Sequence, residues 1–320
     1  MTTINEQIQQ GVKAHLEGNL NGAEQAYQSV LEIDGHNATA HNNLGFVYGQ
    51  QQRWSEAITH LKMALDLKPD MAMAHTNLGQ ILAAQGEITQ GLEHLNRAVE
   101  IDPRNGQAWD NLARARLQAG DHQGAEYGWM RALGLEPGDA RLMTRLGTAI
   151  ASQKRFGEAV SIFQQAINAD AENNDAWAQL GVIHFLQNNL GNARTALQRA
   201  LKINLNDTTA LRHLGLIDLA SNQHSSAIAA FSRIVELNPA DESTRMDLAV
   251  TLISQHRAEE AMAHLDEMYA RRGDDERVLY YRALALRQCR EIKRGNDLLN
   301  RVVEMSGRYA DEAQKILSAS

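Results

Sequence analysis

The chain has 320 residues, which is enough for two ordinary domains or one elongated domain. Its formal net charge of −8 argues against a general nucleic-acid-binding protein, which needs a basic surface, and its single cysteine, Cys289, excludes an internal disulfide framework and fits a reducing compartment. No stretch approaches the roughly 20 apolar residues of a membrane span, and the first residues lack the basic start and apolar run of a secretion signal. We therefore predict a cytoplasmic protein that does not insert into membranes.

Small residues recur every 34 residues along the chain. Alanine or glycine stands at Ala23, Ala57, Gly91, Ala125, Ala159, Ala193, Ala227, Ala261 and Gly295. A second series keeps the same register, at Gly11, Gly45, Gly79, Ala113, Gly147, Gly181, Gly215, Ala249 and Ala283. A fixed period of this length indicates a repeat array. It predicts nine units, at 4–37, 38–71, 72–105, 106–139, 140–173, 174–207, 208–241, 242–275 and 276–309.

Each unit is predicted to be a pair of amphipathic helices. In unit 38–71 the apolar residues fall three and four positions apart, which predicts helices over 38–51 and 54–67 with a polar turn between them. Gly45 and Ala57 are small enough to let the two helices approach closely. Four units end in a proline, which cannot continue a helix, at Pro69, Pro103, Pro137 and Pro239. Residues 310–320 are predicted to form a capping helix.

The residues HNNLGFVY and WSEAITHLKMALDLKP of unit 38–71 resemble the tetratricopeptide repeat family, with its W-x2-L-G-x2-Y…A-x3-F…P pattern. The resemblance covers nearly the whole chain and is weakest in the first unit and the last two. It implies an all-α fold, a right-handed α-solenoid superhelix of tandem helix-turn-helix repeats. It also implies that the first helix of each unit lines a concave groove that binds proteins, which is an interaction function and not an enzymatic one.

Catalytic and metal-binding patterns are missing from the sequence. The twelve histidines form no HxxxH or HExxH pair, and no glycine-rich phosphate loop is present. We therefore expect no enzyme activity, no metal and no cofactor.

Three asparagines occupy the same groove position in consecutive units, at Asn43, Asn77 and Asn111. An amide offers both a donor and an acceptor, so such a ladder can pair with a peptide backbone whatever its sequence. The pattern is similar to the asparagine ladder in the repeat array of O-linked N-acetylglucosamine transferase, which implies the binding of an extended polypeptide. An ordinary family consensus would produce the same residues.

A second pattern is similar to the carboxylate clamp of chaperone-binding repeat domains. The matching positions of the units that start at 72, 106 and 140 hold Thr76, Gln80, Asn111, Arg141 and Arg145. Thr76 lacks the charge of the lysine that belongs there, and Arg114 is a candidate substitute. The resemblance implies that an acidic segment or a chain terminus binds at these arginines, through charged hydrogen bonds.

An apolar cluster is expected further along the groove, formed by Val182, Phe185, Leu186, Leu216, Leu219 and Ala220. A cluster of this kind is seldom left open to solvent. A partner's apolar side chains or the protein's own chain would cover it, and a patch without a role is the remaining alternative.

The sequence thus favours an adaptor that binds an extended or acidic segment of a partner protein in the groove. The alternative is a self-assembling scaffold, hence a homo-oligomer, or an accessory subunit of a larger bacterial complex, because an open repeat array can bind another copy of itself. Neither reading includes a nucleic acid or a membrane as partner.

Overall fold

A computed structural model describes residues 3–319, which form nineteen α-helices and no β-strand. The predicted all-α repeat fold is confirmed. In chain order the helices are α1 Ile4–Leu16, α2 Leu20–Ile33, α3 Ala38–Gln50, α4 Trp54–Leu67, α5 Ala72–Ala84, α6 Ile88–Ile101, α7 Gly106–Gln118, α8 His122–Leu135, α9 Ala140–Ser152, α10 Phe156–Ala169, α11 Asn174–Leu186, α12 Leu190–Ile203, α13 Thr208–Ala220, α14 His224–Leu237, α15 Glu242–Ser254, α16 Ala258–Arg272, α17 Glu276–Gln288, α18 Ile292–Met305 and α19 Ala310–Ser318.

The helices belong to two compact units. The first unit, Met1–Ala171, contains α1 to α10, and the second, Glu172–Ser320, contains α11 to α19. In the first unit the small and large residues of helix pairs interlock in the core, for example Ala57, Leu61 and Leu78. In the second unit Phe231 and Leu265 lie in one fully buried cluster, and Leu197 lies in another.

Asparagine and aspartate side chains start most of the odd-numbered helices. The side chain of Asn37 accepts a hydrogen bond from the backbone N–H of Ala40, and Asn105 does the same for Ala108. Such caps satisfy N–H groups that have no partner inside the helix. The residues before α9, α11, α13, α15 and α17 act in the same way, namely Asp139, Asn173, Asp207, Asp241 and Asp275.

Every turn inside a helix pair contains one residue with a positive φ, and these residues recur at the 34-residue period. Gly86 and Gly120 have φ values of +88° and +81°, which glycine adopts without strain. Other residues hold the same place in six pairs, at Gln52, Lys154, Asn188, Asn222, His256 and Arg290. A side chain is strained in this left-handed region, so the non-glycine turns are local weak points.

The two helices of a pair approach closely at the small-residue positions, as predicted. A Cβ added to Gly45 would lie 2.6 Å from Cγ of Leu61 and 3.1 Å from the carbonyl oxygen of Ala57. At Gly79 the same atom would lie 2.8 Å from the carbonyl oxygen of Gly91. At Gly45 and Gly79 the facing helix therefore leaves no space for a methyl group.

The final helix closes the core of the second unit. Ala313 of α19 is fully buried beside Leu279 and Leu299, and Tyr309 stacks on Tyr280 with ring centroids 4.8 Å apart. The carboxylate of Glu276 accepts hydrogen bonds from the backbone N–H groups just before α19, which anchor its start. The segment thus covers apolar surface that α17 and α18 would otherwise expose.

The first helices of adjacent pairs also contact one another. Helix α3 contacts α5, and helix α5 contacts α7. Their side chains at equivalent positions therefore share one surface in the first unit. Among the helices of residues 3–319, none is long and apolar enough to cross a membrane.

Candidate functional site

Three recesses follow one another along the first helices of the Met1–Ala171 unit. The N-terminal apolar recess, of about 170 Å³, is lined by α1 and α3 through Val12, Leu16 and Phe46, with Met73 of α5 beside them. Leu16 is 81% exposed and Met73 is 58% exposed. Large apolar side chains that stay open around a recess favour the binding of an apolar group.

The central apolar recess, also of about 170 Å³, lies between α3 and α5. Phe46 lines it as well as the first recess, and Trp54, Ile81 and Gln80 complete its wall. Trp54, the first residue of α4, is only half-buried. Because Phe46 lines both recesses, the two are adjacent.

The arginine recess is the largest, at about 360 Å³, and Gln80 joins it to the central recess. Its wall is polar and comes from α5, α7 and α9. The predicted clamp residues Gln80, Asn111, Arg114, Arg141 and Arg145 all line it, whereas Thr76 is buried and bonds to the carbonyl oxygen of Ala72. We call the three recesses together the recess row.

Three guanidinium groups converge on one buried carboxylate in the arginine recess. Arg145 donates to Oδ2 of Asp110, Arg141 Nη1 lies 3.3 Å from that oxygen, and Arg114 Nε lies 3.9 Å from it. The other oxygen, Oδ1, accepts from Trp129 Nε1 at 2.8 Å. The carboxylate of Asp110 therefore contacts three cations. Each guanidinium carries five N–H donors, so most of these donors do not bond to Asp110.

Burial and neighbouring charges act together on the pKa values at this point, and burial lowers the pKa of Arg141 less than the charges of Asp110 and Asp139 and the hydrogen bonds to them raise it. Burial alone would raise the pKa of Asp110, but hydrogen bonds from Arg145 and Trp129 and the charges of Arg145 and Arg114 hold it below its ordinary value. Burial lowers the pKa of Arg114, and the charges of Arg145 and Arg141 add to this effect against the attraction of Asp110. Two acidic residues lie at the edge, Glu136 in the lining and Asp139 at 3.1 Å from Arg141.

The predicted asparagine ladder is linked by hydrogen bonds to neighbouring amides. Asn77, which is buried, donates to Asn42 at 3.1 Å, and Asn42 donates to Asn43 at 3.0 Å. Asn111 donates to Gln80 at 3.1 Å and accepts from Arg114. These bonds use one N–H group of each donating amide.

The three asparagines lie one in each recess. Asn43 lines the N-terminal apolar recess, Asn77 the central one and Asn111 the arginine recess. An extended backbone that followed the recess row would pass all three amides.

The apolar residues expected in the second unit pack in two directions. Phe185 packs against the cluster around Leu197, and its ring meets His213 edge-on at 5.3 Å. Leu216 and Leu219 pack against a different cluster. Val182 is half-buried, and Leu186 remains 57% exposed. Part of this surface is therefore taken up by the protein's own core.

Each of two histidine pairs joins the two helices of a single repeat in the first unit. Nδ1 of His41 lies 2.9 Å from Nδ1 of His60, and Nε2 of His41 donates to the carbonyl oxygen of Gly35 at 3.1 Å. A neutral His41 that donates from Nε2 must accept at Nδ1, so His60 donates to it. His75 and His94 repeat this arrangement, also at 2.9 Å. Burial and the neighbouring imidazole lower the pKa of His60 and of His94.

Sequence reasoning missed Asp110 and most of the apolar lining, namely Val12, Leu16, Phe46, Trp54, Met73 and Ile81. A signal for Asp110 was present, because a carboxylate at a groove-facing position precedes Arg114 by one helical turn and faces the pair Arg141 and Arg145 one unit later. Across residues 3–319 no group of three or more His, Cys, Asp or Glu side chains could hold a metal ion.

Family models match most of the chain. Tetratricopeptide repeat models match residues 43–106, 76–140 and 111–173, and a second such model matches 151–214 and 218–285. A model described as a TPR repeat matches residues 15–52. No curated protein sequence gives a significant match.

Solved structures with the same fold are numerous. A tetratricopeptide repeat protein from Parabacteroides merdae is 17% identical, with a TM-score of 0.62 over 78% of this chain and 98% of its own. The Cut9–Hcn1 hetero-tetramer of APC/C is 18% identical, with a TM-score of 0.62 over 83% of this chain and 52% of its own. YrrB, described as a TPR protein with an unusual peptide-binding site, is 21% identical, with a TM-score of 0.51 over 59% of this chain and 97% of its own. At these identities the likeness concerns the fold.

Proposed function

The chain belongs to the tetratricopeptide repeat family, and we propose from this that it is an adaptor that binds an extended segment of a partner protein along the recess row. A repeat array of this family is an interaction scaffold, and the description of YrrB shows that one protein of the same fold binds peptides. We assign no catalytic role. The cytoplasmic location expected from the sequence remains a prediction.

The observation that carries the proposal is the continuity of the three recesses. Phe46 joins the first recess to the second, and Gln80 joins the second to the third. Asn43, Asn77 and Asn111 occur once per recess along this line. A bound strand needs such regularly placed donors because its own backbone groups lose water on binding.

Two further parts of the prediction belong to the same proposal. Arg141 and Arg145 bind an acidic group of the segment, supported by Arg114 and Gln80. In the Glu172–Ser320 unit, Leu186 offers an exposed anchor, with Val182, Phe185, Leu216 and Leu219 beside or beneath it.

Affinity capture from a lysate of the source organism tests the ladder. Wild type is compared with the double variant Asn77→Ala, Asn111→Ala, and Asn192→Ala, on the exposed start of α12, is the matched control. Circular dichroism checks that all three proteins stay helical. We expect a protein that wild type and the control capture and that the double variant loses, with cross-links that map to α5 and α7.

Equal capture by all three proteins would contradict the ladder. Recovery of the protein itself as the only product would favour the self-assembling scaffold instead.

A further inference from the structure

If the proposed function holds, the order of the recesses indicates which kind of peptide segment fits the recess row. The first two recesses are apolar, and the third is lined by arginines. A segment that follows the row therefore needs two apolar side chains and then an acidic one.

The spacing between those side chains follows from helix packing. Contacting helices have axes roughly 8–10 Å apart, and an extended chain advances about 3.3 Å per residue. The first helices α3 and α5 contact each other, as do α5 and α7. One repeat therefore corresponds to about three residues of a bound strand.

Asp110 already occupies part of the arginine recess. Its Oδ2 is shared by Arg114, Arg141 and Arg145, and its Oδ1 is engaged by Trp129. Arg141 also donates to Asp139, and Arg114 also donates to Asn111. Each guanidinium carries five donors, so donors on the arginines remain for a further carboxylate.

We propose that the binding partner is an extended peptide with two large apolar side chains about three residues apart and a carboxylate about four to six residues beyond the second. The second distance is longer because the arginines lie on α7 and α9, whereas the central recess lies between α3 and α5. This carboxylate binds Arg114, Arg141 and Arg145 in competition with Asp110. Asp110 is thus a specificity-determining residue, because it holds the arginines in place and limits how strongly they attract any one acid.

Selection from a random dodecapeptide library on the full chain tests the proposal. On wild type we expect enrichment of sequences with apolar residues at about i and i+3 and Asp or Glu at about i+7 to i+9, in either chain direction. Replacement of the acidic residue by Lys in a selected peptide should weaken binding at least tenfold by fluorescence anisotropy.

Two variants separate the roles of the charges. Arg145→Gln should remove the preference for Glu over Lys, and Asp110→Asn, which still accepts from Trp129, should tighten the binding of the acidic peptide several-fold. Arg145→Gln keeps the test decisive if Asp110→Asn unfolds.

Peptides without an acidic position, or an unchanged Glu preference in Arg145→Gln, would overturn this inference and leave the proposed function intact. Selection of no peptide at all would contradict both.

Discussion

The two units use arginine on their first helices in different ways. In the Met1–Ala171 unit, Arg114, Arg141 and Arg145 share the carboxylate of Asp110. In the Glu172–Ser320 unit, Arg212 lies 3.4 Å from Asp241 and 3.8 Å from Asp247.

These contacts also give the balance of positive and negative side chains at each surface. Asp247 has a second cation 3.7 Å away, Arg277, so two carboxylates face two arginines there. In the first unit, by contrast, Asp110 and Asp139 face three arginines. Burial raises the pKa of Asp247 despite both arginines, whereas the pKa of Asp110 is lowered. The surplus of arginines over the carboxylates that they contact, and not the number of arginines alone, makes the first surface a candidate anion site.

Removal of the two carboxylates should have very different effects, and this is the largest effect we expect. Asp110→Ala leaves three guanidinium groups and the indole N–H of Trp129 without their partner, which should lower the free energy of unfolding by about 3–5 kcal/mol. Asp247→Ala should cost less than about 1 kcal/mol, because the fold does not favour the charged form of Asp247. Urea unfolding monitored by circular dichroism measures both losses of unfolding free energy. Equal losses in the two variants would contradict the proposed difference between the two carboxylates.

The histidine pairs should make the first unit sensitive to mild acid. The pKa of His60 and of His94 is lower in the folded than in the unfolded chain. At pH values between the folded and the unfolded pKa, the unfolded chain therefore binds more protons. Their contribution to stability is present above the unfolded pKa, near 6.5, and is lost as the pH falls through the folded pKa. Glu56 near His60, and Glu93 and Lys62 near His94, modify these values. We expect the thermal midpoint to fall between pH 7 and pH 5.

The second unit supplies a matched control for the histidines. Trp177 and Ala196 occupy the places that His41 and His60 occupy in the first unit. The variant His41→Trp, His60→Ala, His75→Trp, His94→Ala copies this pair twice and should flatten the pH dependence of the midpoint. An unchanged slope would show that other groups cause it.

The turns give the smallest expected difference between the units. Gly86 in the first unit has the same turn position as His256 in the second, and both have a positive φ. His256→Gly should raise the free energy of unfolding by about 0.5–1 kcal/mol, and Gly86→Ala should lower it by about as much. A Cβ on Gly86 meets no atom within 4 Å, so crowding does not contribute. Denaturant midpoints measure both changes. An unchanged midpoint in both variants would show that these turns carry no backbone strain.

Much of the fold could be predicted because the 34-residue period carries local information. Gly45 and Ala57 mark where two helices touch, and helices α3 and α4 begin and end close to the expected residues. The site was less predictable. The positions of Asn111, Arg141 and Arg145 on one surface followed from the repeat, but the contact of three arginines with Asp110 depends on side-chain directions across two repeats.

The apolar cluster of the second unit shows the same limit. Its residues were correctly placed on first helices, but the repeat period does not say which core each one joins. Phe185 and Leu216 pack against different clusters, and this depends on the neighbouring residues of each pair.

The most direct test of the account is isothermal titration of a selected acidic peptide into three proteins. They are wild type, the double variant Arg141→Gln, Arg145→Gln, and the matched double variant Arg212→Gln, Arg277→Gln in the second unit. Charged hydrogen bonds contribute about 1.5–3 kcal/mol each, so the first double variant should weaken binding at least tenfold. The second should bind within about twofold of wild type. Equal affinity for all three proteins, or a loss confined to the second variant, would contradict the claim that the recess row is the binding surface.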